Sequence, residues 1–113
     1  MMAIVAYIQP FMLEKVTDAL RAGKIHGVTV IHCEGFGRRI DGETPHYEDA
    51  AAELGYATKV KIEIVCRDEE VQSIVETIRH AAHTGRHGDG KVFVAEVTHA
   101  VDVRTGAEGE SIL

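Results

Sequence analysis

From Lys59 to Val65 (Lys-Val-Lys-Ile-Glu-Ile-Val) charged and branched apolar residues alternate, the period-two pattern of a strand with one buried face. Residues 3 to 8 (Ala-Ile-Val-Ala-Tyr-Ile) carry β-branched and aromatic side chains and stop at Pro10, which predicts a first strand and a turn. Between Phe11 and Ala22 the period changes. Leu13, Val16, Ala19 and Leu20 recur at three- and four-residue steps with Glu14, Lys15 and Asp18 between them, so a helix is expected that ends at Gly23. Val28, Val30 and Ile31 predict a strand over about 27–37, and Val71, Ile74, Val75 and Ile78 a second helix over about 69–82. Val92 to Val97 completes the set as a strand, with a short fifth expected at Val101-Asp102-Val103.

The order is β-α-β-β-α-β, an α+β arrangement of the ferredoxin-like kind, in which both helices cover one face of an antiparallel sheet. At 113 residues it makes one domain, residues 1–113. The other sheet face needs a cover, and association of copies would supply it. From Ile40 to Thr58 the pattern lapses: Asp41-Gly42-Glu43-Thr44-Pro45 is turn-rich and the alanines at 50–52 have no core period. A loop of that length inside a small domain is uncommon unless it has a function or is disordered.

Composition narrows the classes. A net charge of −6 argues against nucleic acid as a partner, since that binding rests on basic surface. The apolar run from Met2 to Ile8 is too short to span a membrane and no small-residue cleavage site follows it, so a soluble, cytoplasmic protein is expected. Cys33 and Cys66 stand far apart in apolar segments, without CxxC spacing, which predicts reduced, buried thiols.

The candidate chemistry gathers in Thr84-Gly85-Arg86-His87-Gly88-Asp89-Gly90-Lys91, where three glycines within six residues run into a strand. Glycine permits conformations that let consecutive N–H groups converge on one anion, and Lys91 adds a mobile point charge. Phosphate is the natural ligand of such a loop over residues 84–91. Gly-Asp-Gly is equally the composition of a hairpin turn that needs no ligand, and Asp89 can serve as a turn-former bonded to its own loop. Among seven histidines, His80, His83 and His87 follow at steps of three and four and are candidate metal ligands, although His87 lies beyond the expected helix end. The alternative, with no metal, is that they are ordinary exposed residues near a helix C-terminus, where positive charge is favoured.

The segments TGRHGDGKVFV and RTGAEGESIL, with YIQPF, GVTVIHCEGFGRR and KVKIEIVCRDE before them, resemble the PII signal-transduction family over nearly the whole chain. The resemblance implies a homotrimer with an adenine nucleotide (ADP, AMP or ATP) bound between subunits. Thr29, Glu63 and Val65 would surround the base, and Gly35 would lie near the ribose. Gly37, Arg38, Gly88, Asp89, Gly90 and Lys91 would surround the phosphates, with Arg104 reaching across from the neighbouring chain. The loop of about 38–58 would meet a regulatory partner, a membrane transporter by family analogy, and the tail is residues 102–113.

Four departures from the family pattern qualify these roles. Asp102 stands where the family usually has a second arginine before Thr-Gly, which reverses the sign of a phosphate contact and predicts ADP or AMP over ATP. Arg39 replaces a glutamine that in relatives helps hold magnesium and 2-oxoglutarate and offers no oxygen to a metal. With Lys59, which matches the lysine that meets 2-oxoglutarate in the family, it is a candidate second effector site for another small anion, or else a solvated charge. The tyrosine commonly uridylylated is missing, with Tyr47 matching the other tyrosine of that region, and Gln9 stands where a lysine commonly precedes Pro10-Phe11. Two other classes stand beside the sensor: a trimeric metal-binding or metal-tolerance-linked protein (CutA-like or PII-like) using surface histidines, and a phosphate-ester hydrolase. The second lacks a nucleophile–base pair, so no enzyme activity is expected.

Overall fold

The computed structural model describes residues 1–37 and 56–113. The chain runs β1 (Met2–Ile8), α1 (Leu13–Ala22), β2 (Val28–Gly35), β3 (Ala57–Cys66), α2 (Val71–Ala82) and β4 (Gly90–Glu96). The strands form one antiparallel sheet in the order β2-β3-β1-β4, so the ferredoxin-like arrangement stands. Most of the expected 38–58 loop, with Arg38, Arg39 and Tyr47, lies outside the described residues.

The alternation of β3 sorts the sheet into two faces. Ile4, Ala6 and Ile8 of β1 join Val60, Ile62, Ile64 and Cys66 of β3 on the helix side, all buried. Val16 and Leu20 of α1 and Ile74, Ile78, Ala81 and Ala82 of α2 close over them. Each of the fully buried isoleucines and leucines contributes about 1.5–3 kcal/mol by leaving water. The opposite face carries Val5, Tyr7, Ile31, Val65 and Phe93, and of these Tyr7, Ile31, Val65 and Phe93 remain exposed in a single chain. Cys33 lies on that open face beside Ile31 and is only half-buried, which corrects the expectation of two buried thiols; both cysteines are free.

The element boundaries shift where hydrogen bonding overrides side-chain pattern. Pro10–Met12 forms a 3-10 turn, closed by the Met12 N–H on the Gln9 carbonyl at 3.0 Å, and α1 starts only at Leu13. Proline suits a first turn because its φ is preset and it has no N–H to leave unpaired. Asp68–Glu70 forms a second 3-10 turn, so α2 starts at Val71 rather than 69. Residues 57 and 58 belong to β3 and not to the loop, since Ala57 pairs with Gly35 and Thr58 with Glu34. β4 begins two residues before its apolar run, where Gly90 and Lys91 pair with Ile8 and Tyr7. The expected fifth strand is reduced to one bridge between Val101 and Glu108, because Asp102 turns the chain instead.

Candidate functional site

Residues from four strands meet on the open face of the sheet. Register sets Thr29 of β2 opposite Glu63 of β3, and Glu63 opposite Val5 of β1; Tyr7 faces Lys61 on one side and Lys91 on the other. Side-chain alternation puts Val65, Glu63 and Lys59 in one row along β3. The Glu63 carboxylate is held by Lys61 Nζ at 2.7 Å, a hydrogen bond that raises the Lys61 pKa. Lys59 is half-buried, and desolvation lowers its pKa despite the nearby Cys33. The Cys33 thiol donates to the Lys59 carbonyl at 3.6 Å. Tyr7 and Phe93 meet edge to face, with ring centroids 6.3 Å apart.

The glycine-rich loop is seated at the end of this face. It leaves α2 at Ala82 and enters β4 at Gly90, and a single carboxylate closes it. Asp89 Oδ2 accepts the N–H groups of Thr84 at 2.7 Å and Gly85 at 2.9 Å, and its other oxygen accepts the Thr84 hydroxyl. Burial works to raise the Asp89 pKa, but these bonds outweigh it and the pKa falls below its ordinary 3.8. Gly88 and Gly90 adopt φ of +93° and +124°. A side chain at Gly90 would run into the Tyr7 carbonyl, so the loop lies directly on β1.

A lowered carboxylate pKa means that the ionised form is bound more tightly in the folded loop. Its contribution is complete above 3.8 and is lost as pH falls through the folded-state value. Exchange protection of the Thr84 and Gly85 amides should therefore fall away below pH 3.8. Asp89→Asn should show about a tenfold loss already at neutral pH, because an amide oxygen can replace only one of the two acceptors. Protection unchanged under both conditions would leave the loop held by something other than Asp89.

The tail forms a tight turn. The Asp102 carboxylate accepts the Thr105 N–H at 2.9 Å and its hydroxyl at 3.1 Å, while the Asp102 carbonyl accepts the Gly106 N–H at 2.8 Å. The two bonds from Thr105, its N–H first and then its hydroxyl, lower the Asp102 pKa, so the group is anionic near neutrality. Arg104 occupies the exposed part of this turn. Gly35 ends β2, with Phe36 stacked edge-on against Tyr56 at 5.5 Å and Gly37 at the edge of the described residues.

The three candidate histidines do not converge. Glu76 Oε2 holds both His80 and Arg79 at 3.1 Å, and His83 approaches Asp89 at 3.8 Å. Among the described residues no three His, Cys, Asp or Glu side chains come within reach of one metal ion. Helical spacing suggested a shared face, but α2 ends at Ala82 and His83 has extended backbone, which turns the later residues away.

Two features escaped the pattern of the sequence. A pocket of about 380 Å³ opens between α2 and the start of β4, lined by Tyr7, Ile78, Arg79, His83, Lys91 and Val92 among others. Nothing in local spacing joins Arg79 to Lys91. The other is Gln9, fully buried, whose amide nitrogen donates to the Gly88 carbonyl.

Comparison with known proteins gives a consistent result. The sequence model of a family described as nitrogen regulatory protein P-II matches residues 1–107. The nitrogen regulatory protein P-II of Azospirillum brasilense is 46% identical over 109 residues, covering 96% of each chain. That of Rhizobium meliloti (strain 1021) is 43% identical over the same length and coverage. P-II 2 of Methanothermobacter thermautotrophicus is 44% identical over 110 residues, covering 97% of this chain and 95% of its own. A crystal structure of Arabidopsis thaliana PII bound to citrate superimposes with a TM-score of 0.79 at 35% identity, covering 97% of this chain and 89% of that one.

Proposed function

The chain belongs to the nitrogen regulatory protein P-II family, and from that premise we propose that it is an adenine-nucleotide sensor that regulates a partner protein through residues 38–58. Three chains would bury their open sheet faces against one another, giving Tyr7, Ile31, Val65 and Phe93 the cover they lack alone. The nucleotide would sit between chains. Thr29, Glu63 and Val65 would receive the base, Gly35 the ribose, and Gly37, Arg38, Gly88, Gly90 and Lys91 the phosphates, with Arg104 arriving from a neighbour. Asp89 would act mainly by holding the loop shut, since its carboxylate is already committed to Thr84 and Gly85.

One observation carries the reading: register places Thr29 opposite Glu63 on the same face from which Lys91 leads into the glycine-rich loop. In this reading the base would lie at the Thr29–Glu63 end and the phosphates at the Lys91 end of a single face. Occupancy would act on the partner loop as a population shift, whose size is limited by how differently the nucleotide binds the two loop states. A second ligand, a small anion, falls to Arg39 and to Lys59, whose ammonium is partly desolvated. The regulated partner is a membrane transporter in this proposal, and no helix among the described residues is itself long and apolar enough to cross a membrane.

Isothermal titration of the metal-stripped protein with ADP, AMP and ATP tests this. Micromolar binding is expected, in the order ADP or AMP before ATP, with no turnover of bound nucleotide. Absence of binding by all three at millimolar concentration would remove the sensor reading, and hydrolysis would move the protein to the enzyme class.

A further inference from the structure

Gln9 sits between the end of β1 and Pro10, an ordinary place for an exposed polar residue, yet it is 1% exposed. It is the one polar side chain among the fully buried residues described. Its Nε2 donates to the carbonyl of Gly88, 79 positions further along the chain. Its Oε1 is buried and has no hydrogen-bond partner among the described residues. The approach is close: a side chain at Gly88 would come within 3.3 Å of Nε2. The amide is thus half satisfied, and the half that is satisfied reaches into the glycine-rich loop.

That single bond fixes a peptide plane. The peptide between Gly88 and Asp89 is trans, so its N–H points opposite to its carbonyl. With the carbonyl drawn inward to Gln9, the Asp89 N–H is turned outward. Glycine at 88 lowers the barrier between this orientation and its reverse, in which a carbonyl would face outward and repel an anion. We infer that Gln9 is a positioning residue: by holding the Gly88 carbonyl it decides that the loop presents a donor, and not an acceptor, to phosphate. This inference rests on the nucleotide reading above for the identity of the ligand, though not for the existence of the latch.

The buried Oε1 gives the proposal an unusual signature. A buried acceptor without a partner is unfavourable, and methionine has similar length and no polar atom to strand. Gly88 is exposed, so water can reach its carbonyl once Gln9 is gone. Gln9→Met should therefore leave global stability unchanged or higher while loosening the loop, two effects of opposite sign that a merely structural residue does not produce. Gln9→Lys keeps a donor at this position and should preserve loop order.

The test is hydrogen exchange on the nucleotide-free protein, followed by titration with ADP and ATP. In Gln9→Met, amides of residues 84–91 should exchange about tenfold faster and nucleotide Kd should rise about tenfold, the size of one lost hydrogen bond of about 1.4 kcal/mol. Gln9→Lys should lie near wild type in both. Equal behaviour of the two variants, or loop exchange unchanged in Gln9→Met, overturns the latch whatever the nucleotide does. Faster exchange with unchanged affinity overturns its role in presenting a donor. Should Gln9→Met not fold, Gln9→Leu replaces it. Failure of the wild type to bind nucleotide counts against the sensor reading alone, since the exchange result still decides the latch.

Discussion

Gly90→Ala should cost about 3 kcal/mol or more in urea unfolding, a large effect for one methyl group, because strain and a backbone clash act together. A Cβ built there lies 1.8 Å from the Tyr7 carbonyl oxygen and 2.9 Å from its carbon. Both are main-chain atoms of β1, so no rotamer change can relieve the contact. The φ of +124° adds strain for any L side chain. Relief requires that β4 move away from β1, which breaks the Ile8–Gly90 pairing and drags the glycine-rich loop with it. Gly37→Ala is the control: nothing lies within 4 Å of its Cβ, and its stability should match wild type. A Gly90→Ala variant within about 1 kcal/mol of wild type would mean that the loop tolerates displacement from β1. Nucleotide affinity of the surviving folded fraction should fall as well, since Lys91 is carried by the same peptide.

How far the sequence foretold this arrangement depends on the range of the interaction involved. The β3 strand was legible because alternation is a local consequence of one buried face, and Ile62 and Ile64 are indeed in the core while Lys61 and Glu63 are not. The glycine-rich loop was legible as a loop for the same reason. What it rests on was not, because the Tyr7 carbonyl and the Gln9 amide lie some eighty residues upstream and carry no spacing signal. Gln9 in particular reads as a surface residue beside a proline, and only the closing of β4 against β1 buries it. The histidines show the opposite limit, a local spacing that the fold does not turn into a cluster among the described residues. Steps of three and four are meaningful only while the helix lasts, and Thr84-Gly85 supplied the signal that it does not.

Asp102 supplies the functional result with the largest expected change: Asp102→Arg should raise affinity for ATP relative to ADP. The site would otherwise face the terminal phosphate with an anion, and the hydrogen bonds from Thr105 keep that anion ionised. Removing one unit charge a few ångströms from a phosphate is worth about 1 kcal/mol in a solvent-like medium, roughly fivefold in relative affinity. Reversal of the charge should double that free energy. The carboxylate also holds the turn, accepting both the Thr105 N–H and its hydroxyl, so arginine at 102 removes the scaffold that carries Arg104. Asp102→Asn separates the two roles, because its amide oxygen can still accept from Thr105 while its charge is gone. The asparagine variant should thus show the fivefold rise in the ATP-to-ADP ratio through tighter ATP binding, with ADP affinity preserved. The arginine variant should show a larger ratio, with both affinities reduced by loosening of the tail. A ratio unchanged in the asparagine variant would remove charge as the basis of nucleotide preference; a rise there that is lost in the arginine variant would instead make the 102–105 turn the element that delivers Arg104.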